Sequence, residues 1–370
     1  MTRKIFFWFD TMDFSNKLLK WYGSNARDLP WRNTSNPYFI WISEVILQQT
    51  RVNQGIPYYY RFIEEFPTVQ ALADAPIDKL MKVWQGLGYY SRARNLKEGA
   101  IQIVNEFHGQ IPNTFDELLK IKGIGPYSAA AIASFAFGRV VPAVDGNVYR
   151  ILARVFGVFT PIDSSKGKKE FFELAKELIS KKEPGRFNQA IIDFGALQCT
   201  PKSPLCIDCP FNEYCYAYQN NLISSLPVKG IKKPPQNRFF YYFMIRYGNF
   251  TFVRRRSEND IWNSLYEFPL WEHNKQFNFD EIGQKIKGLS FLKDTEPCIR
   301  YISEPVKHVL SHRIIWATFI ILKIEKANYS LKADYVMIPI EELSTYPFPR
   351  LIDGYLAAEP TAKYFINRYM

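Results

Sequence analysis

Cys199, Cys206, Cys209 and Cys215 stand within seventeen residues of a 370-residue chain, with six, two and five residues between successive thiols. Four thiolates this close can converge on one soft metal centre, and that centre then constrains the loop around it. Zinc ribbons usually hold two Cys-x-x-Cys pairs far apart. Here there is one such pair, Cys206 and Cys209, with a single cysteine on either side. The uneven spacing is better matched to a [4Fe–4S] cluster, which takes four cysteine ligands; zinc and unligated thiols are the alternatives. The fifth cysteine, Cys298, stands alone and is expected to be a buried small hydrophobe.

Redox compartment bears on that reading. No run of about eighteen apolar residues is present, so no membrane span is expected. The apolar run after Arg3 and Lys4 ends at Asp10, too short for a signal-peptide core. The expected location is the cytoplasm, where thiols stay reduced and a tight cysteine cluster reads as a metal site. The formal charge of +11 suggests a polyanionic partner, with an ordinary basic surface as the alternative. Aromatic residues make up 16%, enough for cores and for stacking on bases.

The length predicts two or three domains. Up to about residue 225 the chain reads as helical, with amphipathic segments at Ser15–Tyr22, Phe39–Gln49, Ile77–Trp84, Ser91–Phe107, Phe115–Lys120, Tyr127–Phe135, Val148–Val155 and Lys168–Ser180. Thr114 followed by Glu117 is a capping-box signature. Leu226–Asn237 holds three prolines, three lysines and no acid, which is linker composition. Beyond it, Phe239–Ile245, Phe250–Arg254 and Ile314–Ile324 suit strands, while Phe279–Leu289 and Pro360–Arg368 suit helices. Region 238–370 therefore reads as a second, α+β domain. Residues 1–220 carry a net +5 and residues 221–370 a net +6, so both parts can face a polyanion.

Two further features carry chemistry. Leu119-Lys120-Ile121-Lys122-Gly123-Ile124-Gly125-Pro126-Tyr127 is a glycine turn ahead of a helical segment. Gly123 and Gly125 permit positive φ and close approach of the backbone to a ligand. The first N–H groups of the following helix carry partial positive charge, an arrangement that binds phosphate without reading sequence. Twenty residues on comes Val144-Asp145-Gly146-Asn147-Val148. The turn, this aspartate segment and the cysteine loop, in that order, resemble the helix-hairpin-helix DNA glycosylases, the superfamily of endonuclease III. Within it, Ser43-Glu44-Val45-Ile46-Leu47-Gln48-Gln49-Thr50-Arg51 closely resembles the lesion-entering helix of the MutY adenine glycosylases.

The resemblance implies roles residue by residue. Asp145 is implied as the carboxylate facing the sugar and Glu44 as the acid that protonates adenine. Asn147 and Tyr127 would orient these groups and water. Superfamily members that also cut the backbone carry a lysine at position 127; a tyrosine supplies no amine nucleophile, so the chain is expected to remove a base and stop. Arg27, Leu29 and Trp31 would line the flipped base and Gln189 would hydrogen-bond it, with Arg32 near the DNA. Gln48 and Gln49 would fill space or contact bases, and Thr50 would reach the opposite strand. Leu87, Gly88 and Tyr89 would form a wedge, Tyr89 intercalating beside a damaged guanine; core packing is the alternative for Trp31 and Tyr89. Lys202 could touch a phosphate or simply be solvated. A monovalent cation at the hairpin is implied as possible.

Region 238–370 resembles the Nudix-like domain of the MutY family, but lacks the glutamate-rich metal-binding run of Nudix hydrolases. Its expected role is recognition. His308-Val309-Leu310-Ser311-His312 matches the loop that reads 8-oxoguanine, where Leu310 replaces the usual Phe and Ser311 and His312 remain as donors. The expected whole is a multidomain protein: an all-α helix-hairpin-helix glycosylase part with an iron–sulfur loop, over 1–225; a linker, 226–237; and an α+β Nudix-like domain, 238–370. The expected activity is monofunctional removal of adenine opposite 8-oxoguanine or guanine in double-stranded DNA, by a monomer. A glycosylase for another base and a non-catalytic iron–sulfur damage sensor are the alternatives.

Overall fold

The computed structural model describes residues 11–230, 234–257 and 260–358. It divides into two compact units, one of residues 1–74 and 95–231, the other of residues 75–94 and 232–370. No helix among the described residues is long and apolar enough to cross a membrane.

The first unit is helical. Its helices are α1 (Thr11–Asn25), α2 (Pro37–Leu47), α3 (Val52–Glu65) and α4 (Val69–Asp74); α5 (Ile77–Trp84) belongs to the second unit, and α6 (Ser91–Phe107) crosses the division. Then come α7 (Phe115–Leu118), α8 (Pro126–Phe137), α9 (Gly146–Phe156), α10 (Ser165–Leu178), α11 (Pro184–Leu197) and α12 (Tyr216–Gln219). Local chemistry explains the starts. Asn36 caps α2 by accepting from the Tyr38 N–H, with Pro37 in the first turn. Thr114 accepts from the Glu117 N–H and its hydroxyl bonds the Glu117 carboxylate. Helices α3 and α11 fall outside the segments read as helical from the sequence; α3 carries Pro57 in its interior, whereas α11 opens on Pro184, a favoured first-turn residue.

Helices α2 and α8 pack through small residues, Ala129 to Ala131 and Ala133, all buried. A second core gathers Phe14, Leu18, Ile151, Leu152, Phe171, Phe187, Phe194 and Phe211, with Phe14 stacked on Phe211 at 4.7 Å. The Pro/Lys segment begins inside this unit: Leu226 is buried in that core, Val228 accepts from the Ile162 N–H, and the Gly230 N–H donates to Asp163.

The second unit has a mixed sheet. Strands β1 (Gln236–Arg246), β2 (Phe250–Arg255), β3 (Tyr266–Glu267), β4 (Leu270–His273), β5 (Cys298–Ile302), β6 (Val306–Val309), β7 (Arg313–Lys323) and β8 (Val336–Pro339) accompany α13 (Phe279–Ile286), α14 (Tyr329–Asp334) and α15 (Arg350–Ala358). The main sheet runs β4-β1-β7-β5, with β6 also on β7. Its centre is the parallel pair β1 and β7; the flanking pairs are antiparallel. A second sheet runs β3-β2-β8. Successive β1 side chains alternate between two cores, Phe240, Tyr242 and Met244 with α15 on one face, Tyr241, Phe243 and Ile245 with α13 on the other. The helix expected over Pro360–Arg368 lies outside the described residues. Cys298 corrects an expectation: it is exposed at the first residue of β5, an outer strand of the sheet, instead of buried.

Segment 75–94 groups with the sheet because its side chains bond there. Tyr266 donates to Asp78 at 3.2 Å, Arg94 donates to the Asn263 carbonyl at 2.7 Å, and Lys82 bonds the Ser344 carbonyl.

Candidate active site

A cavity enclosing about 450 Å³ of non-atom space, open to solvent on one side, lies in the first unit. It brings together Arg27, Leu29, Trp31, Arg32, Glu44, Tyr127 and Gln189, all singled out in the sequence. Each comes from a different local device. A 3₁₀ turn, Pro30–Arg32, seats Trp31 edge-on against Tyr59. Helix α2 supplies Glu44, α8 supplies Tyr127 in its first turn, and α11 supplies Gln189.

Glu44 is the anomaly of α2. Every residue from Ile40 to Ile46 is buried, and Glu44 is only 6% exposed. Burial pushes its carboxyl up to about 7. The Tyr127 hydroxyl bond and Arg32 oppose that rise, while Asp145 adds to it. Tyr127 in turn is raised well above the usual tyrosine range, first by burial and then by Glu44.

Asp145 has a different environment. It caps α9: one oxygen accepts from the Asn147 N–H at 2.8 Å and the Val148 N–H at 2.9 Å, and the other from the Asn147 side-chain amide at 2.7 Å. Burial leaves its carboxyl above the ordinary aspartate value, although these donors and Arg150 favour the ionised form and oppose the rise. Both carboxyls are thus raised by burial, but only Asp145 has three N–H donors opposing the rise by favouring its ionised form. Arg150 extends the chain of bonds: it donates to the Asn147 side chain at 2.7 Å, the Gly195 carbonyl at 2.6 Å and the Cys199 carbonyl at 2.8 Å.

Residues that sequence reading missed support the pocket. The Tyr22 hydroxyl donates to Gln189 Oε1 at 3.1 Å. Asp193, fully buried on α11, receives Arg27 and Arg32. Only contacts across the fold reveal them; no local motif marks either one.

The four cysteines line a second cavity of about 330 Å³, walled by Val155, Phe194, Leu205 and Ile223. Among the described residues no three ligating side chains meet closely enough to chelate a single ion; the sulfurs are spread around the shared space. Buried Arg154 holds the loop, donating to the carbonyls of Thr200, Pro201 and Leu226 and lying 3.5 Å from the Cys199 sulfur. Soft donors around an apolar space fit an iron–sulfur group. Lys202 is exposed on the same loop.

The hairpin is built as expected at one glycine and differently at the other. Gly123 has φ +83, and a Cβ there would meet Asn95 at 2.6 Å. Gly125 has an ordinary φ of −89 and caps α8; nothing lies within 4 Å of where its Cβ would be, so its value is open space at the helix N-terminus. Gln102 clasps the turn, accepting from the Lys122 N–H and donating to the Lys120 carbonyl. Past α2, Gln48 donates to Ser128 at 3.3 Å, Gln49 is exposed with φ +58, and the Thr50 hydroxyl is buried without a hydrogen-bond partner.

In the second unit Leu87 is buried, Gly88 has φ +73, and Tyr89 is 47% exposed with φ +47. Left-handed backbone at a tyrosine is strained, and such strain gathers at functional positions. Arg92 lies over the Tyr89 ring. The Tyr89 hydroxyl is 3.2 Å from the Ser311 hydroxyl, joining two segments read separately in the sequence. Ser311 and His312 are the exposed middle of the β6–β7 turn, closed by Leu310 N–H to the Arg313 carbonyl. Leu310 itself packs on the sheet core.

Comparison with known proteins places three family models along the chain. Residues 42–181 match the HhH-GPD superfamily of base excision DNA repair proteins, 199–215 the iron–sulfur binding domain of endonuclease III, and 241–358 the NUDIX domain. An adenine DNA glycosylase of Buchnera aphidicola is 35% identical over 86% of this chain and 88% of its own. One of Rattus norvegicus is 43% identical over 82% of this chain and 69% of its own. A solved thermostable thymine-DNA glycosylase superposes with a TM-score of 0.54 and 29% identity, covering 57% of this chain and 97% of its own.

Proposed function

The chain belongs to the adenine DNA glycosylase family, and on that premise we propose that it removes adenine from opposite 8-oxoguanine, or guanine, by acid catalysis at Glu44. It is a base-excision repair enzyme that hydrolyses an N-glycosyl bond of DNA, and its cysteine loop is an iron–sulfur binding domain.

The observation that carries the mechanism is the pairing of a buried Glu44, pushed up to about 7, with an Asp145 held by three N–H donors. Adenine is a poor leaving anion. A duplex adenine must first be flipped out of the stack. In the pocket, Leu29 and Trp31 cover its faces and Gln189 and Arg27 meet its edge. Glu44 then delivers a proton to N7, and the glycosidic bond breaks toward an oxocarbenium-like sugar. Asp145 stabilises that positive charge, directly or by transient bonding to C1′, and water completes the hydrolysis. Asn147 holds Asp145 in place, and the Tyr127 hydroxyl holds Glu44. With no lysine at position 127, the reaction stops at an abasic site.

Cys199, Cys206, Cys209 and Cys215 would hold the cluster, which would close the loop that carries Lys202 and supply no step of the base removal; Arg154 ties that loop to α9. Glycines 123 and 125 present the α8 N-terminus to a backbone phosphate, and a monovalent cation at the hairpin would strengthen that hold. Arg32 lines the pocket, and Gln48, Gln49 and Thr50, which follow α2 in sequence, are the proposed DNA contacts. Tyr89, Leu87 and Gly88 act as the wedge, and Ser311 and His312 read the lesion's added groups. The Tyr89–Ser311 contact supports treating wedge and reader as one device. The enzyme acts as a monomer in the cytoplasm, with 238–370 as its lesion-recognition domain.

The test is incubation with a duplex carrying one adenine opposite 8-oxoguanine, with and without alkali. A strand break at that adenine only after alkali is expected. No break after alkali refutes the substrate, and a break without alkali refutes the monofunctional reading.

A further inference from the structure

Asp193 stands four residues after Gln189 on α11, beneath the pocket wall, with no side-chain exposure. Its Oδ1 accepts from Arg27 Nε at 2.8 Å, Arg27 Nη2 at 2.5 Å and Arg32 Nη2 at 2.5 Å. Its Oδ2 accepts from the Arg27 backbone N–H at 3.1 Å and Arg32 Nη1 at 2.5 Å. Arg32 also donates to the Arg27 carbonyl at 3.1 Å. One carboxylate therefore fixes two arginines that line the pocket. Burial would raise the Asp193 pKa, but the two guanidiniums outweigh it and hold the group ionised.

A buried ion cluster adds little stability compared with apolar packing, so its placement calls for another role. Arg32 reaches Glu44 electrostatically and favours its carboxylate form, which is the wrong form for a general acid. We propose that Asp193 is a positioning residue of the excision site: it locks Arg27 and Arg32 into the pocket wall and offsets their charge, so that Glu44 keeps the proton it must deliver. The inference rests on the reading of Glu44 as the acid.

The charge around Glu44 can be drawn element by element. On α2 itself the other ionisable group, Tyr38, donates to the Phe66 carbonyl. Arg27 and Arg32 come from the segment ahead of α2, Tyr127 from α8, Asp145 from the α9 cap, and Asp193 with uncharged Gln189 from α11. Tyr22 of α1 lies under the Arg32 guanidinium, and Tyr59 of α3 lies behind Trp31. With Asp193 ionised the two arginines leave one net positive charge. Neutralising Asp193 leaves two.

Single-turnover excision, followed across the neutral range for native enzyme, Asp193→Asn, Arg32→Gln, the double variant and Glu44→Gln, tests this. Asp193→Asn is expected to move the alkaline limb to lower pH by about one unit, an approximately tenfold loss above neutrality that shrinks on acidification. Arg32→Gln removes a cation and is expected to move the limb the other way; the double variant returns it toward native. A purely structural role would lower the rate by one factor at all pH values, and parallel profiles overturn the proposal. If Asp193→Asn does not fold, Arg32→Gln decides alone: an alkaline shift supports the proposal, and no shift or an acid shift overturns it. Glu44→Gln separates the two readings. Inactivity at every pH with an unmoved Asp193→Asn limb overturns only the role of Asp193, whereas retained activity removes the acid assignment and this inference with it.

Discussion

The Tyr22 hydroxyl donates to Gln189 Oε1 at 3.1 Å, from the first described helix to α11. The bond ties up the amide oxygen and leaves the nitrogen of Gln189 as the group with hydrogens to offer at the pocket. Tyr22→Phe should leave that oxygen unpaired and the side chain free to rotate. The expected cost is about 1 kcal/mol, or roughly fivefold. It should appear in the enzyme concentration needed for half-maximal excision and less in the saturated rate. An unchanged half-saturation point refutes the role.

Asp145 caps α9 and is proposed to stabilise the reacting sugar, and the two roles separate by substitution. Asparagine caps a helix about as well as aspartate, so Asp145→Asn should keep its melting temperature while excision falls at least ~100-fold. Asp145→Ala should lose the rate and also about 1 kcal/mol of stability. If Asp145→Asn excises adenine at the native rate, the carboxylate is no part of the chemistry.

Glu44 gives the enzyme a pH signature. The acid must be protonated, so the single-turnover rate should be level below the Glu44 value of about 7 and fall with rising pH above it. Stability follows the same group. The unfolded chain releases this proton near 4.5 and the folded protein near 7, so folding takes up a proton between those values. Stability is therefore lost as pH rises through that window, on the order of 3 kcal/mol in all. Glu44→Gln should abolish excision and resist urea better than native enzyme above neutrality, with the advantage vanishing in acid. Equal melts at both ends would show that Glu44 is not held neutral.

Cluster removal should be local before it is global. Cys206→Ser changes a partly exposed proposed ligand and Cys215→Ser one packed in the core. Both should lose iron and the broad visible absorption, and Cys215→Ser should unfold at lower temperature because its site is also part of the apolar core. Limited proteolysis should then cut within 199–222 first. Full iron content in either variant would mean that cysteine is not a ligand.

Much of the site was readable in the chain. The cysteine spacing, the glycine turn and the Asp145 segment are local patterns, since each needs only neighbours in sequence. Glu44 was marked only by the resemblance of its segment, since an acid on a helix alone reads as exposed, and Ile40–Ile46 of α2 proved buried throughout. Other features were invisible for a physical reason. Pro57 hides α3 from any reading by propensity, and only packing restores the helix. Gly125 looked like a positive-φ position, but its backbone is ordinary and its use is empty space. Cys298 lies on an outer strand, so the sheet edge, not the residue type, decides its exposure.

The partners that tune the chemistry lie furthest from local pattern. Asp193 meets Arg27 across 166 residues, Tyr22 meets Gln189 across 167, and Tyr89 meets Ser311 across 222. By itself the sequence determined which groups exist to do chemistry: four thiols, two carboxylates and a hairpin. Tertiary structure alone decided their protonation and direction. A pKa is set by burial and by charges brought near in space, and a side chain's aim by the hydrogen bonds that hold it, and neither is encoded in spacing along the chain.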